Sequence, residues 1–227
     1  MLLLKLRKAF KPAGDPARAL AMQAYMKSTM PYYGIPTPVH RALCKSAFAD
    51  VEFAAAEDWQ AQVLDIWRNA RFREERYAAI GLTGQKQFQP FQTPSAVKMY
   101  EEMIVTGAWW DYVDSIASNR IGPILKDYPA PMRRKMLSWS KSADMWKRRT
   151  SILSQLGFKA ETDLELLFAC IEPSLGSKEF FLRKAIGWAL RQYAWTDAAE
   201  VRSYVERNRE RLSALSIREA LKNIGIE

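Results

Sequence analysis

Apolar residues recur at helical spacing along most of this chain, and turn-forming residues separate the segments. The stretch "EERYAAIGLTGQK" places Tyr77, Ile80 and Gly81 on one side with its charges opposite, and "DLELLFACIE" has the same period. Proline and glycine interrupt the pattern in "GIPTP", "KDYPAP" and "EPSLGS". After the last of these, we expect Ser177 to cap a helix that carries Glu179 in its first turn. The pattern predicts an all-α protein.

A faint internal repetition accompanies the helical pattern. Aromatic residues with small or aliphatic neighbours stand at Tyr77, Trp110, Trp146 and Trp188, at intervals of 33, 36 and 42 residues. Intervals of this order suit paired-helix repeats of the HEAT or armadillo type, although an irregular helical bundle with chance similarities fits them too. No linker or low-complexity segment divides the chain, so we expect one domain over residues 1–227.

The charge of the chain points to its partners. It carries 34 Lys and Arg against 25 Asp and Glu, a net charge of +9. A basic surface favours polyanions, either nucleic acid or an anionic membrane, but a protein can also be basic without binding either. The start of the chain lacks a signal-peptide pattern, and no apolar stretch is long enough to cross a bilayer. We therefore expect a cytoplasmic protein with no membrane partner.

Common catalytic centres are excluded by composition. His40 is the only histidine, so neither a histidine-rich metal site nor a Ser-His-Asp triad can form. Cys44 and Cys170 lack metal-ligand spacing. We expect His40 to lie at the surface or at a helix end, and we expect no metal and no cofactor.

Two helical faces combine charges with indoles. Trp110 and Asp114 are four residues apart, and Lys184, Trp188 and Arg191 are spaced i, i+4 and i+7, so each set shares one helix face. Two cations beside an indole suit a phosphate backbone next to a sugar or base. The alternatives are that Trp188 belongs to the core beside a solvated Arg191, and that Asp114 pairs with an arginine.

These segments also resemble a known family. "YMKSTMPYYGIPTP", "WWDYVD", "MWKRRTSIL", "SKEFFLRKAIGWALRQYA" and "LSIREALKNIG" are similar to the DNA alkylation repair family of AlkD-type DNA glycosylases. The resemblance covers nearly the whole chain. It implies tandem HEAT-like helical repeats forming a curved solenoid with a concave basic groove. It also implies a monomer that removes N3- and N7-alkylated purines from double-stranded DNA, in the nucleoid if the source is prokaryotic.

The resemblance assigns roles to individual residues. The catalytic carboxylate falls on Asp114 and the two sugar-facing tryptophans on Trp110 and Trp188. The expected DNA contacts are Tyr25, Arg148, Arg149, Lys184 and Arg191. One departure is visible at Pro36, where the family pattern predicts a glutamine, so any contact of that side chain with the opposite strand is lost or replaced here.

The chemistry implied by the resemblance needs few groups. A purine alkylated at N3 or N7 is already cationic and leaves without a general acid, so the enzyme has to stabilise the sugar cation. A carboxylate and two indole faces can do so. The rival functions are a non-catalytic HEAT-like module that binds nucleic acid and a helical scaffold for an acidic protein. Asp114 favours the enzyme, because a pure phosphate binder gains nothing from an acid.

Overall fold

The structure, a computed structural model, describes residues 1–224, and helices supply all the regular secondary structure of that part. The fourteen α-helices are α1 Leu2–Ala13, α2 Pro16–Met26, α3 Thr37–Phe48, α4 Ala56–Arg68, α5 Arg73–Thr83, α6 Val97–Gly107, α7 Trp110–Ile116, α8 Gly122–Asp127, α9 Pro129–Ser140, α10 Met145–Leu153, α11 Leu164–Ile171, α12 Phe180–Ala194, α13 Ala198–Arg207 and α14 Ala214–Leu221. The predicted all-α fold class is confirmed. Gly225, which ends the last quoted motif, lies outside the described residues.

Short helical turns connect several of these helices. The 3-10 turns are Lys86–Phe91, Pro94–Ala96, Lys159–Glu161 and Glu172–Ser174. One π-helical turn, Ala117–Ile121, joins α7 directly to α8. Such turns often mark functional segments because they rotate the side chains around them. Here the turn follows Asp114, whose backbone carbonyl accepts a hydrogen bond from Ser118 Oγ at 2.7 Å.

The chain divides into two compact units, Met1–Gln92 and Thr93–Glu227. In the first unit α4 packs on α5, and in the second α9 packs on α10 and α12 packs on α14. Packing between helices close in sequence is the arrangement of a helical-repeat array. The expectation of one domain over residues 1–227 stays a prediction.

Two buried carboxylates organise the first unit. Glu74 accepts hydrogen bonds from the backbone amides of Tyr33, Gly34 and Ile35 at 3.0, 2.9 and 3.2 Å. Gly34 has φ +84°, and a Cβ there would lie 2.1 Å from the Asp15 carbonyl oxygen, so this position requires glycine. The prediction that the charges of α5 lie opposite its buried side is wrong for Glu74 and Glu75, which are 1% and 0% exposed.

The second unit places α14 against α12 through a glycine. A Cβ on Gly187 would lie 2.5 Å from Glu219 Cβ and 2.9 Å from the Ser216 carbonyl oxygen. The absence of a side chain therefore lets the two helices approach closely, and it sets Glu219 beside α12. α12 also enters the core through fully buried residues such as Leu182 and Leu190.

The start of α12 differs from the sequence prediction. The helix begins at Phe180 with Glu179 at the N-cap, so the prediction of Ser177 as the cap is wrong. Ser177 Oγ instead accepts a hydrogen bond from the Glu179 amide at 3.2 Å. The serine stabilises the turn that precedes the helix, because its hydroxyl reaches a backbone amide two residues on.

Candidate functional site

The "WWDYVD" segment forms the short helix α7. The helix begins at Trp110, and Asp114 follows one turn later, so both side chains lie on one face as predicted from their spacing. Trp110 is half-buried, and its indole makes no hydrogen bond or ring contact with any residue in 1–224. A half-buried indole without an aromatic or hydrogen-bonding partner therefore shares a helix face with the carboxylate.

A bidentate ion pair fixes Asp114. Arg149 Nε donates to Asp114 Oδ1 at 2.7 Å and Nη2 donates to Oδ2 at 2.8 Å. The third arm of the guanidinium, Nη1, donates to the backbone carbonyl of Phe181. The side chain of Arg149 is 4% exposed and that of Asp114 is 14% exposed. Arg149 thus ties α7 to the start of α12 and holds the carboxylate in one orientation.

Burial and the ion pair act in opposite directions on the pKa of Asp114. Burial raises it above the usual range of an aspartate, and the hydrogen bonds from Arg149 lower it. The negative charge of Asp111 raises it further, and the pKa of Asp114 ends above its ordinary value. A carboxylate can accept about four hydrogen bonds. Within the described residues the carboxylate of Asp114 accepts only the two from Arg149, so lone pairs remain for a water or a ligand.

An aromatic cluster packs next to this pair. The Trp109 ring lies 5.4 Å from the Phe181 ring and 6.4 Å from the Trp146 ring, and the Trp146 and Phe181 centroids are 5.0 Å apart. The Arg149 guanidinium carbon is 5.9 Å from the Phe181 ring centroid. Asp144 caps α10 by accepting from the amides of Trp146 and Lys147, which fixes the helix that carries Arg149.

The cationic face of α12 is held by one acid. Lys184 Nζ lies 2.7 Å from Glu219 Oε1, and Arg191 Nη1 lies 2.8 Å from Glu219 Oε2. The hydrogen bond from Lys184 lowers the pKa of Glu219, and the charge of Arg191 adds to the effect. Trp188 lies between the two cations in sequence, packs partly on the core, and leaves part of its ring exposed. Two cations and one anion leave this face with a net positive charge.

The remaining predicted DNA contacts are in different surroundings. Arg148 is half-buried, and its guanidinium has no hydrogen bond, ion pair or ring contact with any described residue, although its Nε is buried. Tyr25 belongs to the first unit and is 78% exposed on α2. Arg149 differs from Arg148 and Tyr25, because its guanidinium donates hydrogen bonds to Asp114 and to the backbone carbonyl of Phe181. All these roles stay predictions.

His40 does not lie at the surface. It is buried on α3, its Nε2 is 2.9 Å from the Glu74 carbonyl oxygen, and burial lowers its pKa. The predicted surface position is wrong, because the ring fills a site between α3 and α5, whereas the alternative of a helix end is confirmed by its place in the first turn of α3. Residues 1–224 contain no group of three metal-binding side chains. In that same range, no helix has the length and apolar character needed to cross a membrane.

A sequence profile described as DNA alkylation repair enzyme matches residues 6–224. The chain belongs to the DNA alkylation repair enzyme family. A solved structure described as a predicted DNA alkylation repair enzyme from Enterococcus faecalis superposes with a TM-score of 0.83 at 28% identity, covering 94% of this chain and 98% of that one. No curated protein matches the chain.

In this member of the DNA alkylation repair enzyme family, sequence reasoning missed several residues around the site. Glu219 was not singled out, although it lies in the quoted "LSIREALKNIG", and Trp109 was passed over for its neighbour Trp110. Phe181 contributes a backbone carbonyl, which no residue type can signal. The doubled tryptophan was the one visible sign of the aromatic cluster.

Proposed function

We propose that this member of the family is a DNA glycosylase that excises cationic N3- and N7-alkylated purines from duplex DNA in base excision repair. Family membership gives the chain a role in the repair of alkylated DNA. The observation that supports a glycosylase is the Asp114 carboxylate, which is fixed by Arg149, retains unused lone pairs and shares a helix face with Trp110. The proposed working form is a cytoplasmic monomer without cofactor or metal.

The proposed reaction breaks the bond between C1′ of the deoxyribose and the purine nitrogen. The electron pair of that bond moves to the purine and neutralises its positive charge, so no acid has to protonate the leaving group. The positive charge that develops on the sugar is stabilised by Asp114 and by the indole faces of Trp110 and Trp188. A water then adds to C1′ and loses a proton, which gives free base and an abasic site.

Preorganisation is the contribution of the Asp114–Arg149 pair. A carboxylate held by two hydrogen bonds does not have to reorient when the sugar becomes cationic, and a largely buried charge is less screened by water than an exposed one. Arg149 offsets part of the negative charge, but without it a buried, unpaired carboxylate would favour its neutral form. We therefore assign Arg149 the role of positioning Asp114.

The substitution Asp114→Asn tests the proposal. It keeps size and shape but removes the charge, so excision of N7-methylguanine from duplex DNA is expected to slow by about 10²–10³-fold. Binding of undamaged duplex is expected to stay the same or to tighten, since a negative charge leaves a site that faces phosphates. Release of free base in single turnover measures the rate, and a melting curve checks that the variant is folded.

Controls separate the charge from other effects. Asp127→Asn removes an exposed acid at the end of α8 and is expected to excise at the wild-type rate. Uracil and 8-oxoguanine are uncharged in the duplex and would leave as anions unless an acid protonated them, so they are expected to be poor substrates. EDTA is expected to have no effect. If Asp114→Asn folds and excises normally, the assignment of the catalytic carboxylate fails.

One observation favours a second function. A largely buried bidentate pair is also what a structural ion pair looks like, so Asp114 and Arg149 could serve the fold of a non-catalytic DNA-binding module. Wild-type protein that binds duplex DNA with salt sensitivity but releases no base from any cationic lesion would favour this function. In that case Asp114→Asn would lower the melting temperature without changing any activity.

A further inference from the structure

The exposed face of α12 continues beyond the three residues described above. Trp195, the C-cap of this helix, has φ −68° and ψ −17°, so the helical geometry extends to it. It follows Arg191 by four residues, Trp188 by seven and Lys184 by eleven. At 100° per residue these four side chains fall within an arc of about 60°. They form one narrow stripe, which we call the α12 stripe.

Trp195 is unusual in its exposure. Its side chain is 71% exposed, and it makes no hydrogen bond or ring contact with any described residue. Other tryptophans of the chain, such as Trp59 and Trp139, are 0% and 2% exposed. Exposing an indole to water forgoes the free energy of burying its large apolar surface. An exposed tryptophan in line with two cations therefore calls for a ligand with both apolar and anionic parts.

The charges near Trp195 do not repel an anion. Arg191 lies one turn before it on the same stripe. Asp197, the acid two residues later, accepts a hydrogen bond from the Glu200 amide at 2.9 Å as the N-cap of α13. Its charge is thus partly compensated by the positive end of that helix. Glu219 is compensated by Lys184 and Arg191 together.

Resting on the proposed function, we infer that Trp195 is a further DNA-binding residue that packs its indole on the deoxyribose–phosphate chain of the duplex. Seven residues separate it from Trp188, which corresponds to about 10 Å along the helix axis. Successive nucleotides of one strand rise by about 3.4 Å along the duplex axis. Trp195 therefore contacts the duplex no more than about three nucleotides from the sugar that Trp188 faces. It adds affinity without taking part in bond breaking.

The test combines a substitution with duplexes of different length. Trp195→Ala is expected to weaken binding of a long duplex about ten-fold, the effect of removing one aromatic contact with a nucleotide. Trp195→Phe, which keeps an aromatic face, is expected to retain most of the affinity. The rate at which Trp195→Ala excises N7-methylguanine at saturating protein is expected to stay within two-fold of the wild-type rate. Tyr128→Ala, which removes another exposed aromatic of the same unit, is the matched control.

Shortening the duplex locates the contact. Two series of duplexes carry N7-methylguanine, and each series is shortened from one side of the lesion. In one series the difference between wild type and Trp195→Ala is expected to vanish when fewer than about three base pairs remain beyond the lesion. Because the side chain is exposed, the melting temperature is expected to change by no more than about 2 °C.

The outcomes separate this inference from the proposed function. Wild-type protein that binds and excises while Trp195→Ala binds every duplex equally well overturns the inference alone. A loss of affinity that persists in the shortest duplexes of both series overturns the predicted position of the contact. A wild-type protein that neither binds DNA nor excises any cationic lesion overturns the proposed function and the inference with it.

Discussion

Glu75 is a fully buried carboxylate on which four hydrogen bonds converge. Arg7 donates two, from Nε at 2.9 Å and Nη2 at 3.1 Å, and the Arg71 amide and the Tyr33 hydroxyl donate the others at 2.7 and 2.8 Å. Burial alone would raise the pKa of Glu75, but these hydrogen bonds outweigh it and the pKa is lowered. The ionised form is therefore the one that stabilises the fold.

The pH dependence of stability follows from that shift. A lowered pKa means that the contribution is complete above the pKa of glutamate in the unfolded chain, and is lost as the pH falls through the lower pKa of the folded state. Glu75→Gln is expected to lower the free energy of unfolding at pH 7 by about 3–5 kcal/mol, because Arg7 loses its partner. Urea titrations should show this difference narrowing below about pH 4. The exposed Glu52→Gln serves as control, and a difference that is independent of pH would contradict the assignment.

At the same scale, local spacing predicted what lies within one helix but gave no information on pairs between helices. Trp110 and Asp114 share a face of α7 as their four-residue spacing requires. Arg149 lies thirty-five residues from Asp114, and its guanidinium faces that carboxylate, while its role as a DNA contact stays a prediction. The sequence allowed an arginine partner for Asp114 but could not select it, because pairs between helices depend on how the helices pack.

At the scale of elements, Gly187 sets the distance between α12 and α14. Gly187→Ala is expected to lower the free energy of unfolding by about 1–3 kcal/mol, because its Cβ would lie 2.5 Å from Glu219 Cβ and 2.9 Å from a backbone oxygen. The displaced Glu219 would also release Lys184 and Arg191. Gly157→Ala, with no atom within 4 Å of its Cβ, is expected to be neutral or slightly stabilising. Thermal unfolding measures both variants. If Gly187→Ala and Gly157→Ala change the free energy of unfolding equally, α14 can move away from α12 at no cost, and the close approach at Gly187 is not required.

Helical period predicted the elements better than their ends and their buried charges. The "KAIGWALRQYA" pattern correctly indicated α12. The helix begins at Phe180, two residues later than a helix capped by Ser177 would begin. The pattern places Glu74 and Glu75 on the charged side of α5, but Glu74 binds the backbone of the loop that contains Gly34, and Glu75 binds Arg7. A charged residue looks the same in sequence whether it faces water or the backbone of a distant loop.

At the scale of the whole molecule, the net charge of +9 favours a polyanion but does not locate its binding site. The site is indicated by the cations that have no acidic partner. Lys184 and Arg191 share Glu219, and Arg149 is neutralised by Asp114. Arg148 differs, because its guanidinium has no partner within residues 1–224. The positive charge of an arginine without an anionic partner stays available, and a phosphate is an anion that a guanidinium binds well.

Salt dependence of DNA binding tests this reading of the charge. Affinity for undamaged duplex is expected to fall linearly with salt concentration on a double-logarithmic plot, because each neutralised phosphate releases counterions. Arg148→Ala is expected to weaken binding and to reduce the slope by about 0.9, the contribution of one phosphate contact. Arg209→Ala removes the same charge from an exposed pair with Glu206 and is expected to leave the slope unchanged. If both variants reduce the slope equally, net charge alone governs binding and Arg148 contacts no phosphate. If wild-type affinity does not depend on salt at all, the chain does not bind DNA through its basic residues, and the proposed substrate is wrong.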